Sequence, residues 1–87
     1  MAENGKRLSK DLINKGVVSK SGKRFGIVGD ISFETKSGEL IHIVLTNPTV
    51  HVQKLDLEKD NDGSILIPFS SVVAIGDFLV VSEEDIV

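Results

Sequence analysis

Apolar residues along this chain fall in short runs separated by glycine, proline and charged turns, and the period of each run predicts a small β-rich fold. Residues 1–7 are polar and predict a flexible N-terminal tail. Leu8-Ser9-Lys10-Asp11-Leu12-Ile13 predicts a single helical turn, with Ser9 as cap and Leu8 and Ile13 as a hydrophobic staple. Asn14-Lys15-Gly16 ends it, Gly16 being able to take the left-handed conformation that closes a helix. Val17-Val18 predicts a first strand and Ser21-Gly22 a turn. From Phe25 the period is two, which places Phe25, Ile27, Gly29, Ile31 and Phe33 on one face and Gly26, Asp30, Ser32 and Glu34 on the other. Glycines inside such a run mark bulges or close backbone approaches.

Lys36-Ser37-Gly38 turns the chain into Leu40–Leu45, apolar on both faces except for His42. Asn47-Pro48 stops that strand. Val50 and Val52 begin an alternation that slips phase before Leu55 and Leu57, predicting a bulged or broken strand. Glu58–Ser64 has the strongest turn chemistry in the chain. A strand over 65–69, a short helical turn over Ser70–Ala74 and a last strand over Phe78–Val81 follow, the latter two separated by a Gly76-Asp77 turn. Six short strands with little helix predict an all-β fold, a small six-stranded barrel with one or two short helical turns, over residues 8–82. Residues 83–87 form an acidic C-terminal tail with an apolar tip. Because 40–45 and 78–81 are apolar on both faces and a small barrel buries one face of each strand, the second face predicts a homodimer or larger assembly. Ile43, Val44, Leu79 and Val81, with Ile86 and Val87 at the tail, are the candidate interface residues.

Composition narrows the classes. The chain has 87 residues, no cysteine, no tryptophan or tyrosine and four phenylalanines, so a single aliphatic core must hold it without disulfide or thiolate zinc. No apolar run approaches the ~20 residues that span a bilayer, and Lys6-Arg7 is not followed by the apolar stretch of a signal peptide. A soluble cytoplasmic protein without membrane insertion is expected. The net charge of −3 hides a split: residues 1–24 carry seven Lys/Arg against Glu3 and Asp11, whereas the remainder is strongly acidic. The basic stretch has one aromatic residue, Phe25, at its edge, which argues against a single-strand nucleic-acid site built on stacking.

The motifs that would carry chemistry fail on inspection. Residues 58–63 imitate the start of a calcium loop, but the position requiring a bidentate Glu is Phe69. Gly22-Lys23-Arg24 lacks the upstream glycine and the Ser/Thr of a phosphate loop, and Gly26-x-x-Gly29 lacks the third glycine of a dinucleotide fingerprint. Proline disqualifies the Asn47-Pro48-Thr49 sequon. A hairpin about Asn47-Pro48 would set His42 and His51 diagonally across two strands, but two histidines without a third ligand make a poor metal site. No serine has a histidine at a triad's spacing. No catalytic residue, cofactor or metal ligand is predicted, and the chain is not expected to be an enzyme.

Taken in order, Leu12, Gly16-Val17-Val18, Gly22 in the hairpin, Gly26-Ile27-Val28-Gly29-Asp30-Ile31, Thr35 with Gly38-Glu39-Leu40 in the second turn, Ile67-Pro68-Phe69 and Ile75-Gly76-Asp77 resemble the PRC-barrel domain. This is the small β-barrel of the photosynthetic reaction-centre H subunit and of a bacterial ribosome maturation factor. The resemblance runs from about Leu8 to Val81 and implies an architectural role for Gly22, Gly26, Gly29, Asp30, Gly38, Ile67, Pro68, Gly76 and Asp77. The acidic Asp56-x-Glu58-x-Asp60-x-x-Gly63 loop makes the chain similar to archaeal stand-alone PRC-barrel proteins, some of which act in cell division. The resemblance implies a dimerising adaptor that links SepF, the membrane anchor of FtsZ, to other division proteins or to a sister PRC-barrel protein at the division site. The alternative it implies is a ribosome maturation or RNA-processing factor, which the basic N-terminal stretch would serve.

Overall fold

The structure, a computed structural model, describes residues 11–86. Six strands, β1 (Gly16–Ser19), β2 (Arg24–Phe33), β3 (Leu40–Thr46), β4 (Leu66–Pro68), β5 (Val72–Ile75) and β6 (Phe78–Val81), form one sheet in the order β4-β3-β2-β1-β6-β5. Neighbours are antiparallel except β1 and β6, which run parallel. The mainly β, six-stranded expectation is borne out, but the sheet does not close into a barrel. β4 and β5 are its two edges, joined by the 3₁₀ turn Phe69–Ser71. That turn is tied down by the Ser71 hydroxyl, which donates to the Pro68 carbonyl at 2.6 Å, and by the Ser82 amide, which donates to the Ser71 carbonyl at 2.8 Å.

The strand count hides an exchange. Val50–Lys54 is a helical turn, α1, and not a strand. Thr49 caps it: its backbone is extended, and its hydroxyl accepts from the Val52 amide at 3.3 Å while donating to the Arg24 carbonyl at 2.7 Å. The phase slip between Val52 and Leu55 is a helical spacing, since Val52 is buried and Leu55 packs against the core. The sixth strand comes instead from Val72–Ile75, where a helical turn was expected, because the turn ends at Ser71. Removing the cap should therefore matter: Thr49→Ala is expected to lower stability by about 0.5–2 kcal/mol in urea denaturation, with Thr49→Ser close to wild type.

β2 departs from a period of two as well. Two extra residues, Phe25 opposite β1 and Gly29 opposite β3, interrupt its pairing, and each reverses which face the next residue takes. Phe25, Val28 and Ile31 are consequently the buried residues, Ile27 turns to the outer face, and Phe33 is exposed. The inner face of the sheet joins Val17, Ile43, Leu45, Ile67, Leu79 and Val81 to these, and Leu12, Val52, Leu57 and Ile65 close over it. At about 1.5–3 kcal/mol for each fully buried aliphatic side chain, this cluster is the main source of stability.

Local turn chemistry agrees with the residues expected to supply it, with one substitution. Asn14, at φ 71, and not Gly16, takes the left-handed conformation that leads into β1, and its amide donates to the Val28 carbonyl at 2.8 Å. Ser9 and Leu8, expected to cap and staple that segment, lie outside the described residues, as does Val87. Asp60 organises the acidic loop by accepting from the Asp62 and Ser64 amides, both at 2.9 Å. The acidic end of the chain is built into the fold: Glu83–Asp85 form a 3₁₀ turn and Ile86 packs against the core.

Candidate protein-binding surface

An open sheet has two edges, and each offers unpaired backbone groups unless something covers it. The β4 edge is covered. Pro68 has no N–H to offer, the Leu66 amide donates to the Glu58 carbonyl at 2.8 Å, and Lys59 forms a bridge with Ile65. The β5 edge is open among the described residues. Val73, an extra residue in the pairing of β5 with β6, is 53% exposed and Ile75 46%. Phe78, across the Gly76-Asp77 turn, is 48% exposed. A free strand edge flanked by three large apolar side chains is the arrangement that receives an added strand from a partner.

The candidate interface residues divide. Ile43, Leu79 and Val81 are fully buried and belong to the core of the subunit, so they cannot meet a partner while the domain is folded. The apolar appearance of β3 and β6 on both faces arises because their outward residues are also apolar. Val44 is one of these, half-buried on the outer face between Asp30 on β2 and Leu66 on β4, and Val80 is another. Ile86 rests on the core, and Val87 lies outside the described residues. Val73 and Ile75 are not among the candidates that sequence reasoning yields, because a helical turn over Ser70–Ala74 and a tight turn after it leave no strand there. The β-branched Val72, Val73 and Ile75 are the signal that favours one.

Of the residues read as architectural, Gly26, Gly29 and Asp30 lie on β2, Ile67 and Pro68 on β4, and Gly22, Gly38, Gly76 and Asp77 between strands. Gly22 and Gly38 occupy turns at φ 90 and 73, and the Gly76 amide bonds the Phe78 carbonyl at 3.0 Å across the last hairpin. Gly26 and Gly29 lie on β2 where the chain around Thr46 passes close. Asp30 is exposed and accepts from the Ile31 amide at 2.8 Å, and Ile67 is fully buried. The hairpin expected to set the two histidines diagonally does not form, because α1 replaces its second strand. His42 pairs with Glu58 at 3.3 Å, and His51 meets Glu83 at 2.9 Å with its ring tilted against Phe25. The His51–Glu83 contact ties α1 to the C-terminal 3₁₀ turn. Among the described residues no cluster of three or more His, Cys, Asp or Glu could hold a metal, and no helix is long and apolar enough to cross a membrane.

The family model of the PRC-barrel domain matches residues 4–85. No curated protein matches the chain.

Proposed function

Because the chain belongs to the PRC-barrel domain family, matched across residues 4–85, we propose that it is a non-enzymatic protein-binding adaptor that dimerises. In this reading it acts in archaeal cell division, in the cytoplasm at the division site, and links a SepF-like anchor of FtsZ to other division proteins or to a sister PRC-barrel protein. The observation that carries the binding part is the open β5 edge with exposed Val73, Ile75 and Phe78 beside it. The division role rests on the acidic Asp56-x-Glu58-x-Asp60-x-x-Gly63 loop, in which the chain resembles archaeal members of the family. Adding a strand at β5 would pair backbone groups irrespective of side chains, while the three apolar residues would select the partner.

The second reading, a factor acting on ribosomal protein or RNA, is favoured by Lys15, Lys20, Lys23 and Arg24, which no acid accompanies between residues 12 and 29. Salt separates the two. Counterion release makes a basic contact with RNA fall steeply with salt, whereas an apolar edge contact persists. A pull-down from archaeal lysate at low salt and at ~0.5 M, where the screening length is a few ångströms, should retain division proteins at both; recovery of ribosomal material alone would reverse the choice. Ile75→Glu should abolish partner binding while leaving the far-UV circular dichroism unchanged. Light scattering that shows a wild-type monomer at ~10 µM would remove the dimer, since association must register at accessible concentrations.

A further inference from the structure

The outer face of β6, β1 and β2 carries a second feature, a groove of about 310 Å³. Val18, Ile27 and Phe78 supply its apolar surface, and Gly16 keeps it low, since a Cβ there would come within 2.9 Å of the Phe78 ring. Its polar lining includes Arg24, Asn14 and Asn47, all exposed. Arg24 makes no ion pair among the described residues, and Lys20 and Lys23 stand exposed beside it in sequence. An exposed guanidinium beside an apolar trough, with two carboxamides able to donate and accept, has the donor set for an extended peptide bearing a carboxylate.

We propose that this groove binds an acidic, extended segment of a partner protein, one carboxylate pairing with Arg24 and one large apolar side chain lying over Ile27 against Phe78. Charge selects that occupant. The chain's own first ten residues carry Lys6, Arg7 and Lys10 against Glu3, the wrong sign to lie along Arg24. Nucleic acid has the right sign but would find no ring except Phe78 on which to stack. The inference rests on the protein-binding reading above but not on the β5 contact, which the groove meets only at Phe78.

Titration of the full ¹⁵N-labelled chain with three probes tests it: the peptide Glu-Asp-Leu-Phe-Asp-Glu, its counterpart with lysine at every acidic position, and oligouridylate. Shifts of the Val18, Arg24 and Ile27 amides are expected with the acidic peptide alone. Arg24→Glu, a surface change, should weaken that binding about tenfold, the value of one charge-assisted pair. Absence of shifts at these amides overturns the proposal, as does an equal response to the lysine peptide or a stronger one to oligouridylate. If the groove proves silent while Ile75→Glu still loses its partner, the groove falls and the adaptor reading stands.

Discussion

Ile43→Asp is expected to unfold the domain and not to yield a folded monomer. Ile43 is fully buried, with Ile31 of β2 on one side and Ile67 of β4 on the other, both also buried. A carboxylate there would have to remain neutral or ionise without water, and either cost exceeds what a small domain can absorb. The milder Ile43→Ala should still remove about 2–5 kcal/mol, against a total stability of about 5–15 kcal/mol for domains of this kind. Its sequence neighbour is the control. Val44→Asp projects onto the outer face, half-buried beside Asp30 and Leu66, and should leave a folded chain of lower stability. Far-UV circular dichroism must track both, because the chain has no tryptophan or tyrosine to report by fluorescence. A folded, monomeric Ile43→Asp would make Ile43 an interface residue and overturn its assignment to the core.

That contrast also marks what the sequence could and could not disclose. Turn chemistry is local, and the glycines at Gly22, Gly38 and Gly63 fall in turns with positive φ. The β-rich class was equally legible, because apolar runs of strand length between turn residues need no tertiary knowledge. The count of six agrees only because the unforeseen strand Val72–Ile75 offsets the expected one that is helical at Val50–Lys54. Facing was not. Each extra residue in a strand reverses the sides taken by the residues after it, so the two in β2 convert an apparent alternation into burial at Phe25, Val28 and Ile31. Where both faces of a strand are apolar, as in β3, composition cannot say which face is inside, and Ile43 and Val44 look alike. The bulged or broken strand expected from Val50 onward fails for another reason. Val50 and Val52 favour a strand, but the Thr49 cap and the burial of Val52 together with Leu55 outweigh that preference. The open edge and the groove arise from sheet order and from close chain passage. No local pattern encodes either.

The second large effect concerns that close passage. Gly26→Ala is expected to be among the most damaging single-methyl changes available in this domain, and no side-chain substitution should relieve it. Gly26 sits in β2 at φ 155, and a Cβ there would lie 2.9 Å from the Thr46 carbonyl oxygen, 3.2 Å from that of Asn47 and 3.4 Å from Cα of Pro48. All three obstacles are backbone, and the segment is pinned to β2 by the Thr49 amide on the Phe25 carbonyl at 3.0 Å. The backbone conformation costs about 1–3 kcal/mol for a non-glycine residue, and overpacking adds about 1–3 kcal/mol. At about 4–8 °C of Tm for each kcal/mol in a domain of this size, the loss is plain in a thermal melt. Gly29→Ala makes the paired comparison. Its Cβ would meet Cγ2, Cβ and Oγ1 of Thr46 and nothing else that close, so the obstacle is a single side chain. Thr46→Ser removes Cγ2, and the Gly29→Ala, Thr46→Ser double variant should recover much of what Gly29→Ala loses. A coupling of about 0.5–3 kcal/mol is expected from that cycle, as for residues in direct contact. The same serine should recover little in a Gly26→Ala background. Equal rescue in both backgrounds would mean that the β3 end yields as a unit, and the distinction between backbone and side-chain obstruction would fail.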